Sequence, residues 1–338
     1  MATPHLAVPK AQPDRLDLRI VAALQIDGRA SWRKIAAVLG EPERTVARRG
    51  SRLIDERVVV VTGLAPRDRV AYSEPAIVSM QCSPGTIRVA AASLARRNDT
   101  TLTYVMTGPV DCVAEVWCPP DRLPSLLLDE LPGTPGLVRI LSYPILRYYR
   151  TVHEWQPGIL ERDEVASLAA DRPLPPTDIG GEAPRTSRED RTILRALAED
   201  GRQTHEELAR LAGVSEATVR RRIEALRAEA RLFFRAVVEP ATLGLPVESL
   251  LWIKAAPDAV DLIGERILES HFVRYAAAIT GPYQLLVDVT LPNKAALHEF
   301  TTRSPWLAHA SGIEVTLLVE ALKRSAVLAE TQQARGFS

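Results

Sequence analysis

The sequence predicts an α+β fold in which two three-helix units alternate with two mixed helix-and-strand units. Three observations carry this. The segment "LDLRIVAALQIDGRASWRKIAAVLGEPERTVARRGSRL" (16–53) overlays "EDRTILRALAEDGRQTHEELARLAGVSEATVRRRIEAL" (189–226) without a gap, with 15 of 38 positions identical. The same offset of 173 residues then places Thr107-Gly108-Pro109 on Thr280-Gly281-Pro282 and Pro119 on Pro292. Between the copies, "RPLPPTDIGGEAPRTS" interrupts any periodic pattern with Pro and Gly. Two separated blocks in one register make a duplication, and a repeat of this length governs the whole architecture.

The helical unit is clearest in the second copy. Ile193, Leu194 and Leu197 are spaced as one helix face. Asp200-Gly201 closes that helix, with Gly201 expected to take the left-handed backbone past the cap. Thr204 and Glu207 form a T-x-x-E capping box, Gly213 ends the second helix, and Ser215 caps the third. Three short helices with tight turns in about 40 residues are helix-turn-helix spacing. In the first copy Pro42 replaces the Ser215 cap, and Gly50 stands where the second has the core residue Ile223.

The third helix, read at about 100° per residue, separates two faces. Val219, Ile223 and Leu226 form the core face, and Ala217, Arg221 and Ala225 lie opposite, flanked by Arg220 and Thr218. In the first copy the opposite face is Arg44, Arg48 and Arg52, an arginine stripe at i, i+4, i+8. A solvated charge face is usually laced with i±4 acids, which Arg44 and Arg48 lack. An answering polyanion is therefore expected. Thr45, Arg49, Ser215 and Arg222 join the candidate DNA contacts, although Arg49 and Arg222 sit nearer the core edge, where internal ion pairs also suit them.

Composition sets the rest of the frame. The 42 basic and 42 acidic residues cancel, so a nucleic-acid surface has to be local. Arginine outnumbers lysine 37 to 5, a bias that weakens any argument from arginine alone. The cysteines Cys82, Cys112 and Cys118 form no C-x-x-C pair, and no apolar run approaches membrane length, so a reduced cytoplasmic protein is expected. No P-loop, dinucleotide fingerprint or G-x-S-x-G elbow occurs, and His5, His153, His205, His298 and His309 show no metal-ligand spacing. Neither cofactor nor metal is expected.

These residues, "DGRASWRKIAAVLGEPERTVARR", "DGRQTHEELARLAGVSEATVRRR", "TGPVD" and "TGPYQ", resemble those of the Lrp/AsnC (feast/famine) transcriptional regulators. The resemblance implies that each mixed unit is a ferredoxin-like βαββαβ sensing domain and that two subunits are fused in one chain. The expected division is a disordered arm (1–13), helix-turn-helix domains (14–62 and 188–237), sensing domains (63–156 and 238–326), a linker (157–187) and a tail (327–338). The closing strand of the first copy is read about three residues early relative to the repeat. The partners implied are double-stranded DNA and a small effector such as an amino acid, with homo-oligomers usual.

The family's G-x-x-D turn implies effector contacts at Thr107, Gly108 and Asp111, and at Thr280, Gly281 and Gln284. Gln284 departs from the acid, which weakens the second site, because a carboxylate holds an ammonium more strongly than an amide does. An alternative resemblance is to sirohaem decarboxylases, through His271, Arg274 and Tyr275. A third class is a sensing scaffold with vestigial DNA contacts. Fusion raises the effective concentration of the two sensing domains for each other, so they are expected to pair within the chain.

Overall fold

The computed structural model describes residues 5–6, 12–64, 74–170, 186–229 and 231–329. The first copy comprises α1 (Arg15–Ile26), α2 (Trp32–Leu39), α3 (Glu43–Asp55), β1 (Val59–Leu64), β2 (Glu74–Cys82), α4 (Ile87–Ala95), β3 (Thr100–Met106), β4 (Cys112–Cys118) and β5 (Leu137–Arg150). After α5 (Arg162–Ala169), the second comprises α6 (Arg188–Glu199), α7 (His205–Ala212), α8 (Glu216–Ala228), β6 (Phe233–Val238), β7 (Val247–Ala255), α9 (Val260–Arg266), β8 (Val273–Ile279), β9 (Leu285–Leu291), α10 (Lys294–Arg303) and β10 (Ala310–Arg324). A short β11 (Val327–Ala329) follows. Both helical units with α5 form one compact unit, and the two sensing copies form another.

In the helical unit, each helix is started by the residues the sequence singles out. Thr204 and Glu207 cap α7 reciprocally, the Ser215 hydroxyl accepts from the Thr218 N–H, and Gly213 ends α7 at φ 68°. Pro42 precedes α3 without a side-chain cap. The two copies are joined by β1 and β6, which pair antiparallel from Val59 opposite Val238 to Leu64 opposite Phe233. Each strand packs on the first helix of the other copy, β1 on α6 and β6 on α1.

That exchange corrects the reading of Gly201, whose backbone is not left-handed. Its N–H donates to the Val61 carbonyl at 2.8 Å, and a Cβ would lie 2.9 Å from the Thr62 carbonyl carbon. Gly28, its repeat mate, donates to the Phe234 carbonyl at 3.2 Å. The arginines that follow lock the pair: Arg29 donates to the Gly201 carbonyl at 3.3 Å and Arg202 to the Gly28 carbonyl at 2.8 Å.

Gly50 also has a local cause. A Cβ there would overlap the ring of Trp32, which occupies the space beside Gly50 and lies 4.3 Å beneath the Arg202 guanidinium. The second copy carries His205 and Ile223 at these two positions. Gly50→Ile is expected to cost about 1–3 kcal/mol by overpacking. Adding Trp32→His should restore most of it in denaturant titration. Equal losses in the single and double variants would show that the two positions are not coupled.

In the sensing unit, eight antiparallel strands close on themselves in the order β10-β3-β4-β2-β5-β8-β9-β7, with β7 returning to β10. The two long closing strands make the joins, β5 onto β8 and β10 onto β3. The two copies therefore pair within the chain. Ile77 lies opposite Tyr143 and Leu250 opposite Thr316, so the closing strands keep the 173-residue offset, correcting the three-residue shift expected. The interior is filled by Tyr104, Tyr143, Tyr148, Trp252, Tyr275 and their neighbours. Outside, helices cover two further cores, one per copy.

Several sequence expectations need correction. Leu6, in the segment read as a disordered arm, is extended and buried. The linker reading covers α5, which has a capping box at Glu161 and Glu164 and buries Leu168. Glu164 pairs with Arg19 of α1, and Lys34 of α2 donates to the Leu168 carbonyl at 3.3 Å. The linker's Pro/Gly core at 171–185 lies outside the described residues. The tail begins with β11, whose Val327 pairs with Arg324 and is buried. The stretch 120–133 is a succession of short 3-10, α and π turns, with Pro124 and Pro132 interrupting the ladder.

Candidate nucleic-acid interface and sensing cavity

The outward face of α3 presents Arg44 and Arg48 to solvent, and among the described residues neither makes an ion pair or side-chain hydrogen bond. Arg52 does not continue the stripe. It pairs with Asp17 at 2.8 Å and with Glu56 at 3.3 Å. A step of four residues overshoots a full turn by about 40°, so two steps carry the side chain about 80° round the helix, toward α1. Arg49 pairs with Asp17 at 3.1 Å and with Asp14, so it too is engaged internally. Thr45 is half-buried.

On α8, Arg220 and Arg221 are exposed and free of ion pairs among the described residues. Arg222 is tied to Asp190 at 2.8 Å and to the Ser187 hydroxyl at 3.0 Å. Ser215 and Thr218 spend their hydroxyls on each other at 2.9 Å at the start of the helix. Each reader thus keeps two free arginines. Arg49, Arg52 and Arg222 are corrected from candidate DNA contacts to clamps that fix each third helix onto its first.

The G-x-x-D reading also changes. The Asp111 carboxylate accepts the Cys82 N–H at 2.8 Å, and the Gln284 side-chain oxygen accepts the Ala255 N–H at 3.0 Å. Cys82 and Ala255 are repeat mates, so acid and amide perform the same task, holding the end of the first sensing strand. Asp111→Asn should therefore move stability by less than about 0.5 kcal/mol, whereas Asp111→Ala should cost about 1 kcal/mol. Thermal melts of the two variants check this, and equal losses would show that the charge itself matters.

The turns are held from the other copy. Thr107 donates its N–H to the Leu317 carbonyl at 2.8 Å, and Thr280 donates to the Pro144 carbonyl at 3.0 Å. Gly108 and Gly281 have φ of 95° and 102°, and a Cβ would press on Thr316 at 3.1 Å and Tyr143 at 2.9 Å. Glycine is needed at both for conformation and for space. Thr107, Gly108, Thr280 and Gly281 thus serve the junction between copies.

Between the turns lies a cavity of about 240 Å³ that sequence reasoning missed. Its polar lining is Ser79, Gln81, Arg139, Tyr283 and Glu314, and its apolar wall includes Leu141, Tyr143 and Trp252. The Gln81 amide donates to the Pro109 carbonyl at 2.6 Å, and the Tyr283 hydroxyl donates to Glu314. That bond pushes the phenol up to about 12. The signal in the sequence was faint, because these residues come from strands whose cross-copy pairing no local pattern reveals.

The residues of the decarboxylase-like alternative do not converge. Arg274 and Tyr275 are buried, Arg274 pairing with Glu248 at 3.0 Å and Tyr275 donating to Glu115 at 3.1 Å. His271 is exposed and its ring lies tilted against Phe272, with burial of part of the ring lowering its pKa. No helix of the described residues is long and apolar enough to cross a membrane.

The fold and its two third helices define a two-copy helix-turn-helix protein with ferredoxin-like sensing domains. The AsnC-type helix-turn-helix domain matches at residues 14–54 and again at 188–227. An uncharacterized HTH-type transcriptional regulator of Pyrococcus furiosus is 30% identical over 112 residues, 33% of this chain and 76% of that protein. The HTH-type transcriptional regulator FL11 of Pyrococcus abyssi is 25% identical over 142 residues, 42% of this chain and 94% of that protein. The siroheme decarboxylase NirDL is similar in fold, with a TM-score of 0.61 at 12% identity, covering 95% of this chain and 96% of that one. The chain belongs to the Lrp/AsnC family of helix-turn-helix transcriptional regulators, as a tandem member about twice the usual length.

Proposed function

We propose that the chain is a sequence-specific DNA-binding regulator whose two unequal readers act as one pair, adjusted by a small effector in the sensing unit. The observation that carries this is the pair of free, exposed arginines on each third helix, Arg44 and Arg48 on α3 and Arg220 and Arg221 on α8. The internal clamps on their neighbours leave these four to an outside anion. The β1–β6 ribbon ties the two helical units together, so the readers present different surfaces as one object. An asymmetric operator with two dissimilar half-sites suits such a pair.

The enzyme reading shares its fold with NirDL, but the side chains it would use are spent in buried pairs or face solvent. The test of the regulator reading is retention of genomic fragments by the purified chain, followed by titration of one retained fragment at several salt concentrations. A specific complex whose affinity falls steeply with salt supports it. Retention of no fragment above random DNA would overturn it.

A further inference from the structure

We propose that the inner faces of the two sensing copies are keyed to each other by size, so that each face accepts the opposite copy and rejects a second copy of itself. The key is Tyr104 and Tyr148 of the first copy with Ala277 and Ala321 of the second. It concerns partner choice within the sensing unit and holds whether or not the chain contacts DNA.

The two junctions between copies have one register. Where β5 meets β8, Ile145 lies opposite Ile279, Arg147 opposite Ala278 and Tyr148 opposite Ala277. Where β10 meets β3, Leu318 lies opposite Met106, Glu320 opposite Val105 and Ala321 opposite Tyr104. The 173-residue offset maps each of these pairs onto its counterpart. Ile145–Ile279 and Leu318–Met106 are matched in size, so that row prefers neither partner. The tyrosine row differs. Both junctions set a tyrosine against an alanine, and both tyrosines belong to the first copy. All four side chains are buried in the interior core.

Pairing of two first copies would set Tyr148 opposite Tyr104 of the other chain at both junctions, with their Cβ atoms about 4.5–5.5 Å apart. Tyr148 already stacks on Trp117 at 5.9 Å and meets the edge of Tyr275 at 5.7 Å. A close-packed interior has no room for a second ring there, so this pairing is overpacked. Pairing of two second copies would set alanine opposite alanine and leave a void in place of each ring. It would also deprive Asp288 of the Tyr104 hydroxyl, which donates to it at 3.4 Å. A face that pairs with itself needs one ring and one gap in this row. Neither copy has that.

The key can be switched at one junction. Tyr148→Ala with Ala277→Tyr moves the ring across and gives each copy one tyrosine and one alanine. Tyr148 donates to Glu115 at 3.0 Å, and Ala277→Tyr directs its phenol toward the same acid, as the repeat-related Tyr104 reaches Asp288. Each change alone should lower the melting temperature of the full chain by about 5–15 °C, and the pair should recover at least half of the larger loss. Disulfide trapping during refolding at high protein concentration then reads partner choice. Cysteines replacing Arg147 and Ala278 face each other in the observed pairing, should close within the chain, and calibrate the position. Cysteines replacing Arg147 and Val105 face each other only where two first copies pair. In the otherwise parental chain they should give no covalent dimer above the background set by Cys82, Cys112 and Cys118. In the exchanged chain the covalent dimer should rise about fivefold or more above that background. The parental measurement needs no change in the core, so it stands even where a single variant fails to fold. Covalent dimer from the parental chain at the exchanged level, an exchanged chain no more stable than the weaker single variant, or no rise in dimer on exchange would overturn the key.

Discussion

Glu248→Ala should destabilise the sensing unit by about 3–5 kcal/mol, because it removes the buried carboxylate that answers two buried guanidinium groups. Glu248 accepts two hydrogen bonds from Arg324, both at 2.6 Å, and one from Arg274 at 3.0 Å. Arg274 also faces Asp288 at 3.6 Å, and Tyr104 donates to Asp288 at 3.4 Å beneath the Arg324 guanidinium. All five side chains are buried. Burial holds the Asp288 carboxyl up at about 6, with the arginines opposing that rise and Glu248 adding to it. With Glu248 gone, one carboxylate faces two cations, so Asp288 should ionise at lower pH than in the parent. Urea unfolding followed by tryptophan fluorescence measures the loss. A shift corresponding to less than about 1 kcal/mol would show that water reaches the cluster and takes over the role of Glu248. Glu248→Gln keeps the volume and one acceptor, and should fall between parent and alanine variant.

Replacing Arg44 and Arg48 together by Ala should lower DNA affinity by about 1–3 kcal/mol for each residue that reads a base edge. Where they only neutralise phosphates, the salt slope should drop by about two units, close to one per charge removed. The fold should be untouched, since among the described residues neither side chain has a partner to lose. Arg52→Ala provides the contrast. Its guanidinium is held by Asp17 and Glu56, so the change should lower the melting temperature and leave the salt slope nearly unchanged. Titrating one labelled operator against each variant at several salt concentrations separates the two. Unaltered affinity and slope in the Arg44/Arg48 variant would reject α3 as a DNA surface.

The behaviour of Arg52 shows where sequence reading succeeds and where it stops. Caps, turns and helix faces follow from residues a few positions apart, and Thr204, Glu207, Gly213 and Ser215 do what their spacing implies. The arginine stripe was traced one step too far, because the drift of an i+4 row matters only once a neighbouring helix stands beside it. Asp111 was read through its charge, whereas its geometric role is shared by an amide and becomes visible only beside the Cys82 backbone. The helix α5 lay hidden within a segment judged by its prolines, although Glu161 and Glu164 carry a capping pattern. The cavity, the closed ring of strands and the polar cluster around Glu248 all join residues of one copy to residues of the other. No local pattern specifies such pairing.

The exchange of β1 and β6 between the copies has a consequence for how the chain is made. Val59, Val60 and Val61 are buried, but the strand they pair with and the helix their strand packs on most closely belong to the second copy. Translation reaches that partner some 174 residues after Val59, as the register of Val59 opposite Val238 to Leu64 opposite Phe233 implies. At about 5–20 residues per second, the wait is roughly 9–35 seconds. Throughout it the nascent first copy carries an apolar strand with both edges unpaired, a template for joining another chain on the same messenger. A ribosome stalled within the linker would leave a product that cannot close its own core. The tandem arrangement that fixes the two readers therefore also makes the first half of the protein dependent on completion of the second.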